Sequence, residues 1–268
     1  MTVGASYVPC AKVAPKIYER EGKKAQKGHV CIFCENSPPS LESKPVEFTI
    51  SLTGDFSDVS SAAPFYYYKP VKVAAIKPQQ GPKDGDTRVE VWGEGFVDLG
   101  DEVTCSFGTK AVAAKVKAPG LIECRAPPSD VVQRPMPFSV SLNGQQQSKD
   151  RVAFWYYNAP QVTLVDPNIG PETGGNVVTL RGDNFKPLRP ELGELDISNS
   201  TFCSFTALNI PPTRATILDS TKATCVAPAS YYWRETGVEL TLNDQDYTDD
   251  ATKYRYYKPP FLFDAEPG

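Results

Sequence analysis

The chain has 268 residues, of which 40% are hydrophobic, enough for roughly two or three domains with buried cores. Its 28 Lys and Arg residues against 32 Asp and Glu give a net charge of −4, which argues against a general phosphate-binding surface. No apolar run approaches the roughly 20 residues of a membrane span. The first residues lack the basic and apolar regions of a signal peptide, so we expect either an intracellular chain or numbering that begins after a removed signal.

Short apolar segments follow one another along the whole chain, and each is bounded by Gly, Pro, Asn or Asp. They include "VEFTISLTGDFS" and "FYYYKP" before residue 70, then "KVAAIKPQQGP", "FSVSLNGQ" and "FWYYNAP". Alternation of this kind is typical of half-buried strands. No long stretch has the 3.6-residue period of a helix. The sequence therefore predicts an all-β protein of sandwiches or barrels.

One stretch of the chain repeats another. The segment Val71–Phe96 matches a second segment that ends at Phe185, at a constant offset of 89 residues. The matching positions are Pro78, Gly81, Pro82, Gly85, Gly93 and Phe96 in the first segment, and Pro167, Gly170, Pro171, Gly174, Gly182 and Phe185 in the second. A repeat of fixed period indicates a tandem array of one structural unit.

Both copies continue in the same order. Each has a Cys pair, a Pro turn ("CRAPPS", "CVAPAS"), a strand with an Asn turn ("FSVSLNGQ", "VELTLNDQ") and an aromatic strand ("FWYYNAP", "YRYYKPP"). The back half of the unit also occurs before residue 70. A copy of roughly 90 to 100 residues has the size of one immunoglobulin-like sandwich. We therefore predict three domains, at residues 1–69, 70–158 and 159–258, followed by a final segment at 259–268.

The segment "PNIGPETGGNVVTLRGDNF" resembles the opening of an IPT/TIG domain, with its Pro, Gly-Pro and Gly-Gly followed by a strand, Gly and Asn-Phe. The later "CSF", "CVAP", "SLNGQ" and "FWYY" continue the resemblance over nearly the whole chain. It implies tandem immunoglobulin-like sandwiches in a linear array. It implies no single function, because such domains occur in plexin- and Met-type receptors, in Rel-type transcription factors, and in long surface proteins of protists and bacteria.

The two ends of the chain are complementary in the repeat. The tail "FLFDAEPG" aligns with the first strand of the middle and third copies, whereas the first copy aligns only from within its second strand. One explanation is a segment cut in register from a longer array. The other is donor-strand exchange, in which Phe261, Leu262 and Phe263 fill a groove in residues 1–69 of a neighbour. Such a head-to-tail contact propagates into a filament unless it closes a ring.

Six of the seven cysteines occupy equivalent positions of the three copies. The predicted disulfides are Cys10 with Cys34, Cys105 with Cys124, and Cys203 with Cys225. Each disulfide would close a loop and stabilise the folded state by on the order of 3 kcal/mol. Disulfides form in oxidising compartments, so we predict an extracellular or cell-surface location, with reduced and buried cysteines as the alternative. Cys31 is left over, and Cys31-x-x-Cys34 lacks the second Cys pair of a zinc site.

Asn199-Ser200-Thr201 is the single N-glycosylation sequon, and it lies in an insertion that lengthens the third copy. We predict that Asn199 is glycosylated; the alternative is a chance match. The Pro turns at Ser37–Ser40, Ala126–Ser129 and Ile210–Thr213 are interpreted as ordinary turns, with hydroxyproline O-glycans as the alternative.

Each copy closes on an aromatic strand. Alternation places the first and third rings of each set on the core face and the others outward. The outward rings are predicted to cover a contact between domains or subunits, and they are Tyr66, Tyr68, Trp155, Tyr157 and Tyr257. The alternative is a stacking platform for sugars or a partner.

The third copy also carries an acidic turn, "NDQDYTDD", with Asp244, Asp246, Asp249 and Asp250. Clustered carboxylates can bind Ca²⁺, but the equivalent turns do not repeat the cluster, so we interpret it as a solvated acidic turn. Enzyme chemistry has little support, because the chain has one His and no G-x-S-x-G motif. We therefore predict a protein that is not an enzyme and has no metal and no cofactor.

Together these features predict a structural or adhesive extracellular role, as a semi-rigid rod or filament of immunoglobulin-like beads. The predicted partners are copies of the chain or neighbouring domains in a longer chain, with surface glycans as a further candidate. No nucleic acid or membrane contact is predicted. The first alternative is a receptor ectodomain that binds a protein or glycan ligand. The second is a Rel-type DNA-binding module, which requires reduced cysteines and a basic loop.

Overall fold

The computed structural model describes residues 10–11, 33–34, 37, 40, 43–50, 60–132, 134–186, 188–189, 193–194, 199–206, 210–230 and 235–260. The chain divides into two compact units, Met1–Lys69 and Pro70–Gly268. Among these described residues, no helix has both the length and the hydropathy that a membrane crossing requires.

In the first unit the described strands form two antiparallel pairs. The strands are β1 (Cys10–Ala11), β2 (Phe33–Cys34), β3 (Pro45–Phe48) and β4 (Ala63–Tyr66). In the β1–β2 pair, Cys10 lies opposite Cys34. This register agrees with the repeat alignment, and the disulfide between these two residues stays a prediction.

The second unit begins with a β-sandwich, which we name the middle domain. Its strands are β5 (Lys72–Lys77), β6 (Gln80–Pro82), β7 (Arg88–Glu94), β8 (Thr104–Phe107), β9 (Lys110–Ala118), β10 (Leu121–Arg125), β11 (Pro135–Ser141) and β12 (Val152–Tyr157), with a short 3-10 helix at Gly100–Glu102. The strand order is β5-β7-β10-β9-β8-β11-β12-β6. The long β9 pairs with β10 in one layer and with β8 in the other, so it joins the two layers.

A second sandwich with the same strand order follows, which we name the third domain. Its strands are β13 (Gln161–Asp166), β14 (Ile169–Pro171), β15 (Val177–Asp183), β16 (Leu188–Arg189), β17 (Gly193–Glu194), β18 (Phe202–Phe205), β19 (Thr213–Asp219), β20 (Lys222–Val226), β21 (Glu235–Thr241) and β22 (Thr252–Tyr257). The order is β13-β15-β20-β19-β18-β21-β22-β14, while β16 and β17 pair separately in the insertion. Two sandwiches of one topology confirm the predicted all-β tandem fold.

The repeated Pro-x-x-Gly-Pro motif divides the first strand of each sandwich between the two layers. In the middle domain β5 pairs antiparallel with β7, and β6 crosses over to pair parallel with β12. Cis peptide bonds precede Pro78 and Pro167 at the crossings. The turn that follows holds Gly85 at φ +84° and Gly174 at φ +68°. Residues that carry a side chain rarely adopt this left-handed backbone conformation, which explains why both positions are glycine.

Alternating strand residues and one disulfide fill each core. In β7, Val89 and Val91 are fully buried, whereas Arg88 and Trp92 on the other side of the strand are exposed, as a sandwich strand requires. The disulfide Cys105–Cys124 links β8 to β10, and Cys203–Cys225 links β18 to β20. Each bond connects the two layers of its sandwich. Two of the predicted disulfides are therefore formed.

Candidate interdomain interface

A hairpin turn between β21 and β22 is organised by one asparagine side chain. Asn243 Oδ1 accepts hydrogen bonds from the backbone N–H groups of Gln245, at 3.1 Å, and Asp246, at 2.9 Å. It also accepts one from the Thr241 hydroxyl, at 3.1 Å. Asp244 takes the left-handed conformation at φ 63°. Asparagine side chains commonly fix turns in this way, so the turn has a defined shape.

The middle domain has the same turn between β11 and β12. Asn143 Oδ1 accepts hydrogen bonds from the N–H groups of Gln145, at 3.0 Å, and Gln146, at 3.1 Å. Gly144 holds the left-handed position at φ 68°. Gln145 and Gln146 are exposed. The turn is therefore a repeated device, and the two copies offer a matched pair for mutagenesis.

In the third domain this turn contacts the middle domain through a buried glutamine. Gln80, on the edge strand β6, is 5% exposed. Its Nε2 donates to the Leu242 carbonyl at 3.0 Å, and Asn243 Nδ2 donates to the Gln80 carbonyl at 3.2 Å. Asn243 is also buried, at 3% exposure. Buried polar groups must be hydrogen-bonded to avoid a desolvation cost, so these two residues depend on each other.

Three further hydrogen bonds extend the contact along the start of β7. Gln245 Oε1 accepts from the Arg88 backbone N–H at 3.1 Å, and Gln245 Nε2 donates to the Arg88 carbonyl at 2.8 Å. The Thr87 hydroxyl donates to the Asp246 carboxylate at 2.6 Å. The pairing of β5 with β7 ends at Glu90, so the Gln245 amide pairs with the Arg88 backbone where β5 no longer does. We name the contact of Gln80, Thr87 and Arg88 with the turn at residues 242–246 the domain joint.

Tyr157, at the end of β12, belongs to the core cluster of the third domain together with Val162 and Leu242. Its side chain is 3% exposed. Burial, and secondarily the Asp246 carboxylate, raises the pKa of the Tyr157 hydroxyl well above its usual value. The last strand of the middle domain thus ends inside the core of the third. Tyr257, at the equivalent position of the third domain, is 40% exposed.

The other aromatic residues of the prediction lie in different surroundings. Trp155 is only 6% exposed, so all four rings from Phe154 to Tyr157 are buried, and a role of Trp155 in a domain contact stays a prediction. The strand lies between β11 and β6, and it is not at an edge. In the first unit Tyr66 is 36% exposed, and burial raises the pKa of the half-buried Tyr68. Phe261, Leu262 and Phe263 lie outside the described residues.

The acidic turn is only in part the solvated cluster that the sequence suggested, because two of its four carboxylates make specific hydrogen bonds. Asp246 belongs to the domain joint, and Asp250 Oδ2 accepts the backbone N–H of Val162 at 2.6 Å. Asp244, Asp249 and Asp250 are exposed to solvent, and Asp246 is half-buried. Across the described ranges, no group of three or more His, Cys, Asp or Glu residues is placed to hold a metal ion. Asp246 and Asp250 thus accept hydrogen bonds from residues that are more than 80 positions away in the chain.

One signal in the sequence points to this role. Asp150 and Asp250 stand at equivalent places of the two copies, and both accept a backbone N–H from the first strand of their own domain. Asn143 and Asn243 correspond in the same way. A comparison of the two copies therefore identifies Asp150 and Asp250 as structural carboxylates, because the other acidic residues of the turn occur only in the third copy.

Both sandwiches match the family model of the IPT/TIG domain, at residues 70–156 and 160–256. The chain belongs to the IPT/TIG domain family. Mouse plexin-A2 is 23% identical over 225 residues, which cover 83% of this chain and 11% of that protein. Human plexin-A4 is 23% identical over 248 residues, covering 87% of this chain and 12% of that protein.

The solved extracellular region of plexin A4 shares the fold. It superposes with a TM-score of 0.51 at 19% identity, covering 88% of this chain and 20% of that one. The IPT/TIG segment thus corresponds to a small part of much longer relatives. Its similarity to plexin ectodomains and its two formed disulfides agree on an extracellular location. The disulfides also contradict the DNA-binding alternative, which requires reduced cysteines.

Proposed function

We propose that this chain is a non-catalytic segment of a cell-surface receptor ectodomain of the plexin type, in which IPT/TIG domains at residues 1–69, 70–158 and 159–258 form a semi-rigid rod. Its partners are then the neighbouring domains of a longer chain and a protein ligand of the receptor. The domain joint carries this proposal, because a rod that positions other domains requires junctions that resist bending.

Two features of the joint support rigidity. The strands β12 and β13 are separated only by residues 158–160. Within this short linker, the Ala159 carbonyl accepts a hydrogen bond from Asn184 Nδ2 at 3.1 Å. Five hydrogen bonds then connect the two domains on the side of Gln80. Each contributes roughly 0.5–1.5 kcal/mol net. Domains within a chain move relative to each other unless such an interface restrains them.

The test measures the distribution of distances between the two domains in the full chain. Spin labels on unnatural amino acids at the exposed positions Lys115 and Lys253 spare the cysteines. We expect a narrow distribution in the unaltered protein and a broad one in Gln245→Ala/Asp246→Ala. The control is Gln145→Ala/Gln146→Ala, which changes the equivalent turn of the middle domain. A distribution that is equally broad before and after the joint is removed contradicts the proposal.

The filament remains a second candidate, supported by the alignment of the tail with a first strand. In that reading Phe261, Leu262 and Phe263 insert into residues 1–69 of a neighbouring copy. Light scattering on the full chain and on a chain ending at Lys258 distinguishes the two. Assembly of the full chain alone favours donor-strand exchange, whereas two monomers, the larger of 29.3 kDa, favour the receptor segment.

A further inference from the structure

The two sandwiches differ sharply on one outward sheet face. In the third domain, β19, β20 and β15 align three threonines in a row across the sheet. In the middle domain the equivalent row is charged. The corresponding residues are Thr216, Thr224 and Thr179 in the third domain, and Lys115, Glu123 and Glu90 in the middle domain. We name the threonine row, together with the exposed Val177, Val226 and Leu218 beside it, the neutral face; Arg181 and Lys222 also lie outward on β15 and β20 and are not part of it.

Exposed apolar side chains flank the threonine row. Val177 is 59% exposed, Val226 46% and Leu218 55%. The equivalent residues of the middle domain are Arg88, Arg125 and Lys117. There, Arg88 and Lys117 form ion pairs with Glu123 at 2.7 Å and 3.6 Å. Val177 and Val226 pair with each other and stand where the middle domain has two arginines, and adjoining exposed apolar side chains of this kind indicate that something covers them.

Asn199, the only sequon asparagine, lies at the edge of that face. It is exposed in a turn, and Arg214 Nη1 donates to its Oδ1 at 3.1 Å. The Arg214 guanidinium also lies over the Phe202 ring, 5.6 Å from its centre, so two contacts hold it. Asn199 Nδ2, the atom that carries an N-glycan, donates no hydrogen bond to any described residue.

The register of the sheet aligns this site with the valines. Arg214 precedes Thr216 by two residues, and Val226 follows Thr224 by two on the antiparallel neighbour, so both lie on the outward side at one level. Val226 pairs with Val177 on the next strand. Strands are about 4.8 Å apart, which puts Val226 about 5 Å and Val177 about 10 Å from the strand of Arg214.

We propose that Asn199 carries an N-linked glycan whose first sugars lie along Arg214, Val226 and Val177 and cover the neutral face. In the modification, Nδ2 forms a bond to the anomeric carbon of an oligosaccharide held on a polyprenyl diphosphate; the diphosphate leaves, and the amide nitrogen loses one proton. Oδ1 keeps its bond to Arg214, which directs the sugar over the sheet. The C–H faces and acetyl methyl groups of N-acetylglucosamine contact the valines, and the threonine hydroxyls bond to sugar hydroxyls.

Occupancy is tested by mass spectrometry of the full chain secreted from eukaryotic cells. Because Asn199 lies in the single sequon, any N-glycan mass belongs to it. The control Asn199→Gln retains an amide oxygen for Arg214 and has no attachment site. We expect the glycan in the unaltered chain and not in the variant. Secreted, folded protein that is unmodified at Asn199 overturns the proposal.

The position of the glycan is tested by hydroxyl-radical footprinting of the same two proteins. We expect severalfold lower oxidation of Val177, Val226 and Leu218 in the glycosylated chain than in Asn199→Gln. Val131 of the middle domain, 41% exposed, is the internal reference and reacts equally in both. Equal oxidation of the three residues places the sugar in solvent and overturns the covering of the face.

A third protein separates loss of the sugar from damage to the fold. Asn199→Gln exposes the neutral face, so we expect it to be retained longer on a hydrophobic-interaction column. Adding Val177→Arg and Thr224→Glu recreates the Arg88–Glu123 ion pair of the middle domain. This combination is expected to shorten retention to that of the glycosylated chain. Retention that does not change among the three proteins contradicts the proposal.

Discussion

At the scale of single residues, one carboxylate secures the first strand of each sandwich. Asp150 Oδ2 accepts the Val73 N–H and Asp250 Oδ2 accepts the Val162 N–H, both at 2.6 Å. Each N–H lies at the register shift in the pairing of its strand, where ladder pairing is interrupted. The carboxylate therefore replaces a missing backbone acceptor.

Asp250→Ala is expected to destabilise the third domain by about 1–3 kcal/mol, because the half-buried Val162 N–H loses its charged acceptor. Chemical denaturation followed by tryptophan and tyrosine fluorescence measures the change. The control is Asp249→Ala, whose side chain is exposed. A loss of equal size in both variants would show that general charge, and not this bond, is responsible.

A tyrosine hydroxyl closes each sandwich against its Pro turn. Tyr156 donates to the Pro127 carbonyl at 2.7 Å, and Tyr256 donates to the Pro228 carbonyl at 2.8 Å. Burial raises the pKa of both hydroxyls far above the ordinary value of 10.0. The repeated aromatic strand and the repeated Cys-x-Ala-Pro turn are thus two halves of one contact.

These raised pKa values predict a loss of stability in alkali. In the unfolded chain the tyrosines lose their protons near pH 10.0, whereas the folded chain keeps them. The unfolded state then binds fewer protons, so the free energy of unfolding falls as the pH rises above that value. Denaturation between about pH 8 and pH 11 measures the slope. Tyr156→Phe/Tyr256→Phe is expected to be less stable at pH 8 and to have a shallower alkaline slope; an unchanged slope contradicts this cause.

At the scale of elements, one turn serves two purposes. The Asn143 and Asn243 turns have the same internal hydrogen bonds. Only the second is shown to contact another domain among the described residues, through Gln80. Local sequence therefore determines the shape of both turns, and the neighbouring domain determines what the second turn does.

Gln80→Ala is expected to loosen the domain joint, because it removes the side-chain donor that links the middle domain to the Leu242 carbonyl; that carbonyl keeps only its bond from the Ser200 hydroxyl within the third domain. The Arg88 backbone N–H donates a hydrogen bond to Gln245 Oε1, and its hydrogen–deuterium exchange is expected to become faster. The matched control is Ile169→Ala, at the equivalent position of β14, where the side chain is 46% exposed. Exchange at Arg88 that stays unchanged in Gln80→Ala contradicts a role for Gln80 in the joint.

At the scale of the whole molecule, each sandwich has its own core and its own disulfide. The third-domain core cluster includes one residue of the middle domain, Tyr157. The two domains therefore have separate sources of stability but share a junction. Coupling between them is expected to be smaller than the stability of either domain.

Cys105→Ala/Cys124→Ala is expected to destabilise the middle domain by about 2–5 kcal/mol, the usual effect of removing a native disulfide. Because Cys203–Cys225 is intact, the third domain is expected to unfold at nearly its original denaturant concentration. Two separate transitions in fluorescence and circular dichroism would show this. A single transition that shifts as a whole would instead mean that the joint makes the two domains one cooperative unit.

The sequence alone determined the repeat, the all-β class, the cysteine pairs and the places of the glycine and proline turns. These features depend on local chemistry: alternation sets which side chains face inward, glycine permits the left-handed turn at Gly85 and Gly174, and equivalent cysteines occupy equivalent strands. The constant spacing between the two copies identifies these residues from the sequence alone.

Only the tertiary structure decided the role of the surfaces. Gln80 and Leu242 are 162 residues apart in the chain and meet only when two domains pack. Tyr157 and Tyr257 share a motif, yet the first is 3% exposed and the second 40%. The valines of the neutral face gain meaning only when the sheet register aligns them with Arg214 and Asn199. Burial and partner identity are properties of packing between distant segments, and a local pattern does not contain them.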